Sequence, residues 1–442
     1  MPMTEYKILL PIETSVRELT YKIALAVMFA DQGHKSYFGS KAIIRSLFKR
    51  VSPFIFFDKG YHENVSEDLI YKPVIENKGL LLSMDEEGGM DVEDFHTLNR
   101  RYPEKIFDYF NYIFIWGKVQ NQFLSDNRKN YSSEKFIVSG HPRFELLKPR
   151  YRNLYNTDVH RINKKWKKYV LINCNYKYAN HIRGEDFLHK NYGHRIKLID
   201  ERIKYDKIKY QHMLSLIKRI AEKKTVQLVI RPHPEEDANT YKQLFNNYKH
   251  VHVTNKLSVI PWIIGCEAMI HSDCSTAVEA ALLGKHPIAF NPVIDNRFSI
   301  PAPIEVSENF DDIESLVNHL EGISNRNKTM KGKKIFEDYL SYSKNPFDII
   351  NHKVTELSKI TINTEEKDIY TPIAPKHIYQ KYKNQIRETF FYKDELTNSK
   401  QQGMNNKVFM KKQMKYVIET LGVQNKLKLE HPEPYLFCIT RA

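Results

Sequence analysis

Residues 225–292 narrow the folds open to this chain more than any other stretch. Two short apolar runs within them, 226–230 and 268–270, look like strands buried on both faces of a parallel sheet. Each run stops abruptly in polar residues: Arg-Pro-His-Pro-Glu-Glu after the first, His-Ser-Asp-Cys-Ser-Thr after the second. In an open α/β sheet, ligands bind just beyond the carboxyl ends of the strands. That rule puts Arg231, His233, Ser272, Ser275 and Thr276 at a binding crevice.

Residue types indicate what the crevice would hold. Ser275 and Thr276 precede 277–283, which has helical composition and ends at Gly284. The first N–H groups of a helix have no internal partner and the macrodipole is positive there, so anions bind. Arg231 and His233 add donors from the neighbouring strand. Glu279, one turn further on, is placed to accept from a pair of hydroxyls such as a ribose. Together these residues describe a nucleotide mono- or diphosphate pocket without a glycine-rich P-loop.

The chain has 442 residues, enough for two or three domains of roughly 100–200 residues each. No apolar run approaches the roughly 18 residues of a membrane span. Residues 1–12 lack the layout of a signal peptide, so the expected location is the cytoplasm, peripheral on the inner face of the plasma membrane. Cys174, Cys266, Cys274 and Cys438 are far apart and without metal-ligand spacing. They are expected to be reduced and structural, and no metal site is expected. The net charge is +15. Basic clusters at 41–50, 143–168 and 202–209, interleaved with Tyr151, Tyr155, Trp166 and Tyr169, suit anionic lipid, nucleic acid or anionic substrates. Richness in lysine, asparagine, isoleucine and tyrosine also follows from an AT-rich genome, so charge alone discriminates poorly. There is no RNA-binding motif, and no nucleic-acid partner is expected.

Taken in order, the chain opens as a βαβ unit: a strand at 6–12, a helix at 19–31 with Leu19, Ile23, Ala24, Val27 and Met28 on one side, and a strand at 35–38. Strands follow at 53–57, 79–83, 112–116 and 135–138. The fourth ends in Met-Asp-Glu-Glu-Gly-Gly, where adjacent carboxylates repel one another. At least one should have a raised pKa or meet a cation, and a carboxylate raised toward neutrality is a candidate general base. Glu86 and Glu87 are the candidates, with Glu13, Arg17, Lys41, Gly140 and Arg143 at other strand ends as cleft or acceptor contacts.

Residues 1–147 therefore read as one Rossmann-like domain. Residues 148–168 read as a basic linker, 169–344 as a second Rossmann-like domain, 345–359 as a crossover helix, and 360–442 as a mainly helical extension with its best helix at 405–421. The second domain contains a strand at 169–173, a long amphipathic helix at 197–222, a strand at 251–253 and a helix at 257–265. Helices are also expected at 310–320 and 334–343.

Three segments carry a family likeness: the opening Leu-Leu-Pro-Ile-Glu-Thr-Ser-Val-Arg-Glu-Leu, the Asp-Glu-Glu-Gly turn, and Ser-Gly-His-Pro-Arg-Phe-Glu-Leu-Leu. With Arg-Pro-His-Pro and Ser-Thr-x-x-Glu-Ala-x-x-x-Gly-x-x-Pro, they make the chain resemble bacterial surface carbohydrate biosynthesis proteins of the GT-B fold, over roughly residues 7–359. The resemblance implies an α/β, GT-B-like chain of two Rossmann-like domains facing a cleft. Glu86-Glu87-Gly88 and His233-Pro234 look like the two short motifs of bacterial sialyltransferases and polysialyltransferases. Carried over, Glu86 or Glu87 is the base that deprotonates the acceptor, and His233 stabilises or protonates the leaving phosphate. Ser272, Ser275 and Thr276, with Arg231 and Glu279, bind the donor nucleotide.

The expected reaction is metal-independent glycosyl transfer from a nucleotide sugar, with a CMP-linked ulosonic acid favoured. No separate cofactor is expected. The acceptor would be a glycan or lipid-linked saccharide, and an anionic membrane surface is an expected partner. On the same scaffold the alternatives are a CDP-glycerol glycerophosphotransferase and a UDP-sugar 2-epimerase. A third reading is a non-enzymatic, basic membrane- or nucleic-acid-binding protein.

Overall fold

The computed structural model describes residues 4–63, 65–194, 196, 198–224, 226–321, 332–360, 362–369 and 400–442. Lys197 and Thr225, the first residues of two expected segments, lie outside the described residues, as do residues 361 and 370–399 of the expected extension. The chain forms two compact units. One gathers Met1–Gly89, Phe95–Leu154 and Phe336–Ala442; the other gathers Met90–Asp94 and Tyr155–Ile335.

The first unit is built on β1 (Lys7–Ile12), β2 (Lys35–Ser40), β3 (Phe54–Asp58), β4 (Leu80–Met84), β5 (Tyr112–Ile115) and β6 (Phe136–Val138). They pair in parallel in the order β2-β1-β3-β4-β5-β6. The order reverses between β1 and β3, the doubly wound arrangement whose ligands sit beyond the strand ends at that switch. Strand period 2 divides the apolar residues between two layers. Ile8, Leu10, Ile55 and Phe57 pack on one face with the Ser15–Asp31 helix, while Leu9, Phe54, Phe56 and Leu81 pack on the other. That helix is buried over most of its length, which its continuous apolar run 23–30 allows.

The second unit holds β7 (Tyr169–Asn173), β8 (Gln227–Arg231), β9 (Val251–Val253), β10 (Ala268–His271), β11 (Pro287–Phe290) and β12 (Glu308–Phe310). Their order, β12-β11-β10-β7-β8-β9, is the Rossmann order with its switch point between β7 and β10. The Ile199–Lys223 helix covers one face with Tyr210, Met213, Leu216, Ile217 and Ile220.

Several features differ from the expectations, the unexpected strands β11 and β12 among them. Residues 148–168 carry a helix, Asn156–Trp166, in which Ile162 is buried. A stripe so narrow gives little periodic signal. The described part of the extension has the expected helix, at Lys407–Leu421, followed by an unexpected hairpin of β13 (Leu427–Glu433) and β14 (Leu436–Arg441). β14 pairs antiparallel with β2 and extends the first sheet. Gly39 permits this, because a Cβ there would lie 2.2 Å from the Tyr435 carbonyl oxygen.

Candidate functional site

In the first unit, charged side chains gather where the parallel strands end. Glu13 follows β1, Lys41 follows β2, Asp58 and Lys59 close β3, and Asp85-Glu86-Glu87 follows β4. Glu18, at the start of the Ser15–Asp31 helix, is the buried hub. It accepts from the amides of Glu13 (3.0 Å) and Thr14 (3.1 Å), from Arg17 Nη2 (3.3 Å) and from Lys59 Nζ (2.7 Å). A carboxylate reaching back to amides before its own helix acts as a capping box does. Lys59 also lies 3.2 Å from Glu13, which takes Lys41 at 2.9 Å. Burial alone would raise the Glu13 carboxyl, yet Lys59 and Lys41 hold it well below the usual carboxylate range.

Glu86 and Glu87 have opposite surroundings. The Glu86 side chain is 1% exposed. It accepts from the Tyr21 hydroxyl, lies 3.9 Å from Lys22 Nζ and is 3.7 Å from His141 Nε2. Burial pushes its carboxyl up, but Lys22, Lys59 and Arg17 outweigh that and bring it below the ordinary value. The expected acidic repulsion is thus relieved by cations. The Glu87 side chain is 55% exposed. It lies 3.2 Å from Arg17 Nη1 and 3.9 Å from Arg101 Nη1.

Asp85 anchors the turn. Its side chain takes Arg101 Nε at 2.5 Å and the Glu87 amide at 2.7 Å, and its carbonyl takes the Trp116 indole N–H at 2.7 Å. Gly89 packs so closely on the Trp116 ring that a Cβ would lie 1.8 Å from it. A side chain there would displace the ring, so packing requires the glycine.

At the β6 end, Gly140 and Arg143 were open to either a cleft or a bracing role. Gly140, at φ +77°, lets the backbone approach the Leu340 carbonyl, where a Cβ would lie 2.8 Å away. The Arg143 guanidinium lies over the rings of Trp116 and Phe144, at 5.3 and 4.6 Å. Both residues brace the loop. His141, next to Gly140 in sequence and buried, packs edge-on against Tyr21 and Trp116 at 5.0 Å each.

In the second unit, the loops after β7, β8 and β10 meet at the switch point. Asn173 Nδ2 donates across it to Thr276 Oγ1 (2.8 Å), and Thr276 donates on to Cys274 Sγ (3.1 Å). The Ser272 hydroxyl meets the buried Tyr176 hydroxyl at 3.2 Å. Ser275 is half-buried at the head of the Thr276–Leu282 helix, and its hydroxyl makes no capping bond. Glu279 is buried in that helix, its charge adding to burial in raising the Tyr155 hydroxyl.

The turn after β8 is organised by Glu236, a residue the sequence reading passed over. Its buried carboxyl accepts from the Tyr176 amide (2.8 Å), the His233 amide (3.1 Å) and the Tyr241 hydroxyl (2.5 Å). Burial raises it to about 7. His233 Nδ1 accepts the Glu235 amide at 3.1 Å, so the neutral imidazole carries its hydrogen on Nε2. Arg231 is placed differently from the phosphate clamp expected of it. Its Nη1 and Nη2 donate to the carbonyls of Lys256 (2.8 Å) and Leu257 (3.0 Å), and the guanidinium lies over Trp262. Burial lowers it to about 10.

A shallow surface cavity of about 370 Å³ lies elsewhere, against Glu185, Asp200, Ile203 and Lys207, and contains none of these residues. Among the described residues, no group of three or more His, Cys, Asp or Glu side chains is arranged to hold a metal ion. Also among them, no helix is long and apolar enough to cross a membrane. The four cysteines are buried free thiols.

No protein-family model and no curated protein matches the chain. Solved structures do. A UDP-N-acetylglucosamine 2-epimerase aligns with TM-score 0.51 and 12% identity, over 83% of this chain and 100% of its own. UDP-GlcNAc 2-epimerase from Methanocaldococcus jannaschii, in complex with UDP-GlcNAc and UDP, aligns with TM-score 0.49 and 13% identity, over 79% and 99%. The wall teichoic acid polymerase TagF gives TM-score 0.41 and 13% identity, over 70% and 73%. The first of these, with the two sheet orders, makes the fold GT-B-like.

Proposed function

We propose that the chain is a glycosyltransferase of bacterial surface carbohydrate synthesis, acting on a nucleotide-activated sugar. A CMP-linked ulosonic acid is the favoured donor and a glycan or lipid-linked saccharide the acceptor. The observation that carries the reading is the turn after β8. It holds His233 with Nδ1 accepting the Glu235 amide, so that the neutral ring carries its hydrogen on Nε2, at the carboxyl end of the strand next to β7. A fixed N–H donor there suits the phosphate of a departing nucleotide, whose negative charge grows as the glycosidic bond breaks. Thr276, Ser275 and Ser272 add hydroxyls, and Arg231 shapes the wall by holding the 256–257 backbone.

In the first unit Glu87 is the proposed base. It is exposed and fixed between Arg17 and Arg101, whereas Glu86 is enclosed. Glu87 removes the acceptor hydroxyl proton as oxygen attacks the anomeric carbon. The sugar–phosphate bond breaks, and the nucleotide leaves with its charge met by His233. The basic surface, with net charge +15, suits an anionic membrane where a lipid-linked acceptor resides.

A second reading, epimerisation of a UDP-sugar, is favoured by the fold shared with a 2-epimerase over 83% of the chain. Incubation with CMP-, CDP- and UDP-linked donors, with and without saccharide acceptors, tests the proposal. Acceptor-dependent release of nucleotide, greatly reduced in His233→Ala, is expected. Interconversion of a UDP-sugar without acceptor would replace transfer by epimerisation.

A further inference from the structure

Lysine is seldom fully buried without a partner. Lys22, on the Ser15–Asp31 helix, is 0% exposed, and its Nζ makes no hydrogen bond. Glu86 Oε2 and His141 Nε2 are also buried without a hydrogen-bond partner. His141 Nδ1 takes the Arg143 amide at 3.0 Å, so the neutral ring's hydrogen sits on Nε2 and faces the carboxylate. Lys22 and His141 thus converge on Glu86 from segments far apart in sequence, at 3.9 and 3.7 Å. A shift of roughly 0.7 Å would bring the His141 contact into hydrogen-bond range. Burying an ammonium beside a carboxylate is often no better for stability than an apolar pair. The pair is therefore weak grounds for assigning Lys22 to fold stability alone.

We infer that Lys22 is a positioning residue: its ammonium keeps Glu86 a carboxylate that accepts from Tyr21 on one oxygen and faces the His141 N–H with the other, fixing the turn that presents Glu87. The inference rests on Glu87 being the base. Glu86 is faced from the helix by Arg17, Glu18, Tyr21 and Lys22, from the β3 end by Lys59, and from the β6 end by His141, with Arg143 beyond it. Against burial, Lys22 leads the cations that lower the Glu86 carboxyl, ahead of Lys59 and Arg17. A protonated Glu86 becomes a donor on one oxygen, and Tyr21 and His141 then compete for the other.

Lys22→Met in the full chain is the test, beside Glu86→Gln and the double variant. Infrared difference spectra against pH should show the Glu86 carboxyl gaining its proton about one pH unit higher, or more, in K22M. That band should vanish in K22M/E86Q. In transfer assays K22M should lose kcat about tenfold at neutral pH, with donor KM unchanged. The acid limb of its pH profile should move up, and K22M/E86Q should fall no further than E86Q. A uniform loss on an unmoved pH profile overturns the inference, as does a Glu86 band that titrates as in the wild type. If K22M does not fold, wild type against E86Q gives the same reading: Glu86 holding its proton at neutral pH overturns the inference. A shifted band with no turnover of any donor by the wild type upholds the Lys22–Glu86 link and instead removes the transferase reading.

Discussion

At the scale of residues, the account assigns adjacent carboxylates to different work. Glu87→Gln should lower transfer by about 10²–10⁴ while the melting temperature stays near the wild type, because that side chain is 55% exposed. Steady-state kinetics beside thermal melting checks both halves. His233→Ala should cost about 10²–10³ in kcat, with the Glu236 network left in place. Glu236 itself predicts a pH effect. Its folded value, about 7, is raised from the ordinary 4.5 by burial. The folded state therefore binds the proton more tightly than the unfolded chain does. This contribution to stability is complete below about pH 4.5 and is lost as pH rises through 7. The loss is about 3 kcal/mol. Glu236→Gln should flatten that part of the curve in denaturant unfolding between pH 5 and 8, and an unchanged slope would refute the assignment.

Much of this cluster was visible in sequence, because Glu13, Arg17, Lys41, Glu86 and Glu87 follow strands that hydrophobic runs locate. Glu18 and Lys22, on the helix, were not, and Lys59 and His141, though they also follow strands, had been given no role. A lysine on a helix reads as solvated by default, and its neighbours come from β3, β4 and β6, which only the fold assembles. Arg231 shows the converse. Its position at a strand end was right, but the carbonyls that occupy it belong to a loop 25 residues on.

At the scale of elements, the hairpin β13–β14 is the addition that most alters the first sheet. It covers the β2 edge, which would otherwise present unpaired backbone groups. Arg50 and Glu433 form a buried ion pair beneath it. Glu433→Ala should destabilise the first unit by about 3–5 kcal/mol, because the arginine is left buried and uncompensated. Gly39→Val, which places side-chain carbon against the Tyr435 carbonyl, should strip hydrogen-exchange protection from the β14 amides. Protection in β7–β10 should be unaffected. Most of the parallel strands were legible because each is a short apolar run ending in polar residues; β12 was not, since Glu308 and Asn309 leave it a single apolar residue. The hairpin was not, although Leu427 and Leu429 alternate with Lys428 and Glu430. Pro432 and Pro434 argue against a strand, and the register shift between Glu430 and Glu433 accommodates the first of them. β11 was passed over because only four residues, starting with proline, carry it.

At the scale of the whole molecule, two doubly wound sheets each bring polar loops to their carboxyl edges, one rich in charge pairs and one built on hydroxyls and a histidine. The second set of loops is proposed to hold a nucleotide. Thermal shift with CMP, CDP, UDP and their sugar or glycerol conjugates measures that directly, since a ligand of the folded state stabilises it by about 2.7 kcal/mol at a hundred times its Kd. One nucleotide series should raise the melting temperature of the wild type, and His233→Ala should lose most of the rise. No shift with any series at millimolar concentration, or an undiminished shift in His233→Ala, would contradict it.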